Sequence, residues 1–418
     1  MKWLAAVFAI VLILASLIFI LTGLQQLKEF VYDLDFDPQD DSQNSTTDQN
    51  TNGDSKATNN NDDKNAENDI EEVVDTQAES ESDKGLSKVK EPDSERSTDD
   101  EGNQEELVQI RISFAGDCTI GTDENFTYVN SFPDRYEKVG RDDAYFFKGV
   151  KPVFDNDDLT LVNLETTFTT ARKKADKKFN FKGDPSYVNI LKEGSIEMVN
   201  ISNNHIYDYL KQGFRDTIDT LEKAGIYYSG EGHIAYYESK GIIIASIGYN
   251  GWYTSIKESL KRDIKEAREK ADLVIVSFHW GQERSNYPNS VQIELGRFSI
   301  DEGADIVVGH HPHVIQGIDK YKGKYIAYSL ANFCFGGNRN PEDKDTFIFQ
   351  GLFTFRNGEL IKNEGIVYAC SVSSVDYVND YQPTLLTGSE RERVISRILK
   401  YSTKLKYGIS AEDVIFSE

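Results

Sequence analysis

The sequence predicts an α/β domain organised on a mainly parallel sheet, and three observations carry that reading. Short apolar runs of strand length alternate with segments whose apolar residues recur at helical spacing. Each run ends abruptly in polar residues, the position where open α/β sheets place their ligands. Five of the six histidines in the chain fall at such run ends.

The folded part starts near Leu107. Val108, Ile110, Ile112 and Phe114 alternate with polar residues, and the run ends in Ala115-Gly116-Asp117. Leu159 to Val162 reads as a second strand and ends in Asn163-Leu164-Glu165. Glu197 to Ile201 is a third, ending in Ser202-Asn203-Asn204-His205. A helix follows, because Phe214, Ile218 and Leu221 share one face and Gly225 stands at the C-cap position. Gly241 to Gly248 is a fourth strand, then a helix occupies roughly Ile256 to Ala271. Leu273 to Phe278 runs into His279-Trp280-Gly281. Val291, Leu295 and Phe298 mark one face of the next helix, which Gly303 closes. The short run Ile306 to Val308 then delivers His310, His311 and His313 into a turn. Tyr325 to Leu330 precedes Asn332, Phe347 to Phe355 is strand-like, and Ser389 to Tyr407 reads as a basic helix. No internal repeat is present.

Before this domain the chain has a different character. Residues 3–24 form an apolar run without charge, long enough to cross a bilayer as a helix. It exceeds the apolar core of a cleaved leader, so residues 1–24 are expected to be an uncleaved transmembrane anchor. Lys2 precedes it and an acidic tract follows, so the amino terminus is expected on the inner side of the cell membrane and everything after Leu24 outside. Residues 25–106 read as a disordered acidic linker, since they hold little apolar surface to offset chain entropy. The whole chain carries a net charge of −24, and 25 acids against 6 bases between Val31 and Glu106 put −19 of it there. The acidity therefore belongs to the tether, and residues 107–418 form an ordinary globular domain. Cys118, Cys334 and Cys370 are too few and too far apart for a disulfide framework or a structural zinc site. Nothing in the sequence calls for a nucleic-acid partner.

Asp117, Asn163 with Glu165, Asn203-Asn204-His205 with Asp208, His279 and the triple-histidine turn form a mixed oxygen and nitrogen donor set. Such a set suits one or two divalent transition metal ions, manganese, iron or zinc. His233, in a glycine-rich stretch, reads as a loop residue.

The order Gly116-Asp117, Asn163-Leu-Glu165, Asn203-Asn-His-Ile-Tyr-Asp208, His279-Trp-Gly281, Gly309-His-His-Pro-His-Val314 and Ser329-Leu-Ala-Asn332 resembles the CapA/PgsA family of membrane-anchored capsule synthesis proteins. That family is similar to calcineurin-like metallophosphatases. The resemblance implies a four-layer sandwich of two central sheets flanked by helices. It also implies metal binding by Asp117, Glu165, Asn204, His279 and a His-x-His pair, His311 with His313, in which His310 can take the first place. His205 would then be catalytic, oriented by Asp208, with Asn163 and Asn203 near substrate. The chain departs from the phosphatase pattern twice. Asp117-Cys118-Thr119 lacks the histidine of Asp-x-His, and Glu165 replaces a bridging aspartate.

The resemblance implies a role in making or exporting poly-γ-glutamate, with a membrane, an anionic polymer and polymer synthase subunits as partners. An extracellular metal-dependent phosphoesterase and a non-catalytic scaffold of the synthase are the competing readings. Finally, Ala171 to Lys182 carries six bases against one acid. It is expected to be a loop near the site, with Arg172, Lys173, Lys174, Lys177 and Lys178 contacting the anionic chain.

Overall fold

The computed structural model describes residues 107–417; the expected anchor and linker lie outside them. The described residues form a mixed α/β fold with two main sheets and a small three-stranded one. Among them no helix is long and apolar enough to cross a membrane.

The nine-stranded sheet is centred on Leu107–Thr119. This strand runs parallel to Leu159–Leu164, which is parallel to Met198–Asn200, itself parallel to Tyr227–Ser229. Its other edge pairs antiparallel with Asp345–Arg356, which forms a long hairpin with Glu359–Ser371. In the six-stranded sheet Ile242–Gly251, Leu273–Trp280, Ile306–His310 and Lys324–Ala327 are mutually parallel. Ile234–Ser239 and Ile318–Tyr321 close its two edges antiparallel. The expected parallel order thus holds at the middle of each sheet and gives way to antiparallel strands at the margins.

The two-residue period of the strands sorts the core. Ile110, Ile112, Phe114, Leu159 and Leu161 from the larger sheet share one buried cluster with Ile244, Leu273, Ile275, Ile306 and Val308 from the smaller. Ala115, Val162, Leu164 and Val199, on the opposite face, pack with Ile190, Leu191 and Leu221 of the helices Val188–Glu193 and Leu210–Ala224. Ala245, Ile247, Val274 and Val276 pack with Leu260 and Ile264 of Lys257–Arg268 and Leu295 of Ser290–Glu302. Gly225 ends the first of these long helices in a left-handed C-cap, and Asn289 opens the last with a capping box to Gln292.

A half-buried carboxyl just before Leu159–Leu164, at the other end of that strand from Glu165, makes stability depend on pH. Burial pushes Asp157 up to about 7 from an ordinary 3.8, with Thr160 Oγ1 donating to it at 2.8 Å. Since folding raises this pKa, the contribution is fully present below 3.8 and is lost as pH rises through about 7. Asp157→Asn keeps the hydrogen-bonding shape without the charge. Between pH 4 and 7 the parent should lose stability relative to this variant, by up to about 1.4 kcal/mol per pH unit. Urea unfolding of both proteins at several pH values checks this, and parallel curves would contradict it.

Candidate metal centre

The strand ends meet because the backbones approach unusually closely there. A Cβ on Gly116 would lie 2.0 Å from the Ala331 carbonyl oxygen, and one on Gly309 would lie 2.1 Å from that of Tyr328. Only glycine permits either contact, so both strands are drawn against the 328–332 segment just before their polar ends. Asp117 N then donates to Ala331 O at 2.9 Å. The turn after Ile306–His310 carries His311 at φ 92° and His313 at φ 57°, with Ala331 opposite at φ 66°. Left-handed conformations at non-glycine residues cost on the order of 1 kcal/mol or more each, and they turn these side chains inward.

Glu165, His311 and His313 each offer a donor atom, and these atoms lie within 4.8 Å of one another. Both Glu165 carboxylate oxygens and His311 Nδ1 are buried without a hydrogen-bond partner. Unpaired buried polar atoms are costly, and a carboxylate is the costliest kind. Burial pushes the Glu165 carboxyl well above the usual carboxylate range, and burial with the nearby His313 lowers His311 to about 3. A convergent carboxylate and two imidazoles fit a divalent transition metal, which would satisfy the orphaned atoms.

The surrounding network orients these donors. Asn332 Nδ2 donates to His313 O at 3.3 Å, so its Oδ1 faces His313 Nδ1 at 2.9 Å. Asp117 Oδ2 lies 3.2 Å from the same nitrogen. Two acceptors at Nδ1 place a proton there and aim Nε2 at Glu165, 3.9 Å away. Burial opposes protonation of His313, but Glu165 and Asp117 hold it up at about 9. Burial would also raise Asp117, yet its hydrogen bond to His313 and the charges of His313 and His310 keep it low.

Asn163 is fully buried and acts as the hub of the network. Its Oδ1 accepts from Asn200 Nδ2 at 3.1 Å and Asn203 Nδ2 at 3.4 Å, so Nδ2 faces Asp117 Oδ1 at 2.8 Å and His279 Nδ1 at 3.2 Å. A donor at Nδ1 puts the His279 proton on Nε2, where it meets Asn204 Oδ1 at 2.8 Å. His279 and Asn204, both expected to bind metal, are thus bonded to each other here. His279 Nε2 is 3.7 Å from Glu165, and burial keeps its ring well below the usual range. His310 stays in the strand, in register with His279, its Nδ1 3.7 Å from Asp117; burial lowers it to about 4. Asn163 and Asn203, expected near substrate, are buried, and Asn203 donates to Leu164 O at 2.9 Å.

His205 and Asp208 form a dyad beside the cluster. His205 Nδ1 donates to Asp208 Oδ2 at 2.6 Å, and its Nε2 lies 3.8 Å from Glu165 Oε1. Asp208 also accepts from Phe181 N at 2.6 Å and Lys177 Nζ at 2.7 Å. Burial outweighs Asp208 and lowers the His205 pKa.

The basic segment does reach the site through Lys177, which also donates to Asn204 O. Two of the five bases expected to contact the polymer are committed internally, however: Lys177 to Asp208, and Lys174 to Glu124 at 2.6 Å. Lys178 lies over the Phe179 ring, and among the described residues it, Arg172 and Lys173 make no ion pair. Asn332 and Trp252 complete the site without having been singled out as site residues from the sequence. Trp252 sets its ring against His279 and His311, with centroids 5.7 and 4.7 Å apart. Each follows an apolar run as the recognised residues do. At the departures from the phosphatase pattern, Thr119 is buried and donates to Glu165 O at 3.2 Å, so it supplies no replacement imidazole.

Residues 111–337 match the family described as "Bacterial capsule synthesis protein PGA_cap", a span that takes in every residue from Asp117 to Asn332. The chain is similar to the PGA biosynthesis protein CapA of Bacillus subtilis (strain 168), 35% identical over 250 residues, 54% of this chain and 63% of that protein. It is 33% identical over 259 residues to the capsule biosynthesis protein CapA of Bacillus anthracis, 55% of this chain and 61% of that one. A probable polyglutamine synthesis accessory protein of Mycobacterium tuberculosis (strain CDC 1551 / Oshkosh) is 28% identical over 208 residues, 42% of this chain and 55% of that one. The matches span less than two thirds of the length of each relative.

Proposed function

The chain belongs to the PGA_cap family of bacterial capsule synthesis proteins, and from that premise we propose that it assists a polymer synthase in making or exporting poly-γ-glutamate. The observation that carries this reading is the coincidence of family span and site: residues 111–337 contain all the strand-end groups that meet around Glu165. The apolar run 3–24 and the acidic tract after it favour a protein anchored in the cell membrane by residues 1–24, tethered by residues 25–106, with residues 107–418 outside. The three apolar clusters, one between the sheets and one against each outer face, favour the four-layer metallophosphatase-like arrangement.

Within this reading the site is hydrolytic. Glu165, His311 and His313 would hold a divalent metal, with His279, Asn204, Asp117 and His310 around them. When bound, such a metal supplies Lewis acidity that polarises a phosphoryl or amide oxygen. With its Nδ1 proton donated to Asp208, His205 Nε2 is free to take a proton from the attacking water and pass it to the leaving group. Lys177 and Phe181 N in turn hold Asp208 in place. A buried imidazole and carboxylate dyad aimed at the cluster favours catalysis over a purely structural tether.

Expressing the full chain in a Bacillus subtilis strain that lacks its own CapA tests the proposal. Restored poly-γ-glutamate is expected, with protease on intact, wall-stripped cells cutting within residues 33–106. A chain made in full that restores no polymer would contradict the function, and protection of that tract until lysis would contradict the orientation.

A further inference from the structure

A cleft of about 550 Å³ opens beside the metal centre. Phe126, Phe179 and Tyr377 line it together with Asn338, Arg339 and Asn340. It shares its inner wall with the site. The Phe181 ring packs on Phe126 and Phe179, each at 6.3 Å, and lies 4.4 Å from the His205 ring. A Cβ on Gly337, also lining the cleft, would fall 2.6 Å from Phe335, whose ring is 5.0 Å from His313. One layer of aromatic rings therefore separates the cleft from both the dyad and the metal cluster.

The lining is rich in donors. Arg339 is its one charged side chain; among the described residues it makes no ion pair, donating from Nη1 to Val129 O at 3.2 Å. Lys344 Nζ holds Asn340 Oδ1 at 2.7 Å, and Asn340 N holds Asn338 Oδ1 at 2.9 Å, which leaves both amide nitrogens as donors. Lys178 adds a second cation over Phe179, 4.9 Å from its centroid. Tyr377 is 82% exposed, a large ring that nothing among the described residues covers. Guanidinium and amide donors beside flat apolar faces suit a ligand that carries carboxylates and planar amides. A neutral glycan would use the rings but would call for acceptors as much as donors.

We propose that this cleft seats a carboxylate-bearing polyamide chain beside the metal centre, with a carboxylate on Arg339 and amide planes against Phe179 and Tyr377. The proposal rests on the reading that the protein handles poly-γ-glutamate, and it adds where and how the polymer is held. The test uses the purified full chain, titrated calorimetrically at low salt with a γ-linked glutamate oligomer and, separately, with an uncharged chitin oligosaccharide. Arg339→Gln and Tyr377→Ala should each weaken oligoglutamate binding about tenfold or more, while metal content stays at the parent level. Parent protein that binds no oligoglutamate would overturn this proposal together with the polymer reading. Parent-like binding by both variants would overturn the cleft alone and leave that reading standing. Loss of chitin oligosaccharide binding in Tyr377→Ala, with oligoglutamate binding unchanged, would make the cleft a glycan seat and overturn the proposal.

Discussion

Replacing His313 by alanine is expected to strip the metal from the protein. Among the described residues, Glu165, His311 and His313 are the group whose donor atoms converge within 4.8 Å of one another. Loss of one leaves two, and a metal held by two side chains exchanges with water and chelators. Changing a group that merely supports a ligand typically costs 10–100-fold in affinity, so loss of a ligand itself should exceed about a hundredfold. Glu165→Ala and His311→Ala should behave alike. His233→Ala should retain metal, because that ring stacks on Tyr228 away from the cluster. His310→Ala should retain most of it too, since its Nδ1 faces Asp117 and its ring is not part of the group formed by Glu165, His311 and His313. His279→Ala should fall between, for its Nε2 is engaged by Asn204. Elemental analysis of the variants after dialysis against a chelator checks this order, and equal metal in His233→Ala and His313→Ala would contradict it.

His205→Gln should leave metal in place and remove most of the hydrolytic rate. The imidazole touches the cluster only across 3.8 Å to Glu165, so it is not needed to hold the ion. In the proposed mechanism its bond to Asp208 would make it the site's proton carrier. Removing a general acid or base costs about 10²–10⁴ in rate. Lys177→Gln should cost less, since Asp208 still keeps the Phe181 amide. A chromogenic phosphodiester and a γ-glutamyl anilide serve as probes for the two bond classes. Equal rates in the parent and His205→Gln on whichever probe is cleaved would contradict the role.

Much of the fold was legible because its strands are short apolar runs with polar ends, and Gly225 and Gly303 closed helices where expected. The antiparallel margins were harder. Glu359–Ser371 carries exposed Lys362 and half-buried Asn363 and Glu364 in its first half, so its strand period is masked by polarity. Its hairpin still left a trace: Asn357-Gly358 takes positive φ at both positions, the backbone of the two-residue turn that joins it to Asp345–Arg356. At the site, run-end placement found the groups that meet but not their roles. Whether His310 or His311 joins His313 depends on a backbone φ of 92°, which no residue pattern announces. Asn163 and Asn203 look like any polar run end, yet burial commits their amides to Asp117, His279 and Leu164. Likewise the basic segment is conspicuous, but the pairing of Lys177 with Asp208 and Lys174 with Glu124 depends on partners distant in sequence.

The central claim, that Glu165, His311 and His313 hold a metal, is tested most directly by anomalous diffraction from crystals of the protein, collected on both sides of the absorption edge of the metal it carries. The account predicts an edge-specific peak about 2.0–2.2 Å from a Glu165 carboxylate oxygen and from a nitrogen of each of the two histidines. No peak at that position, or a peak bounded by other residues while these three stay hydrogen-bonded to water, would contradict it.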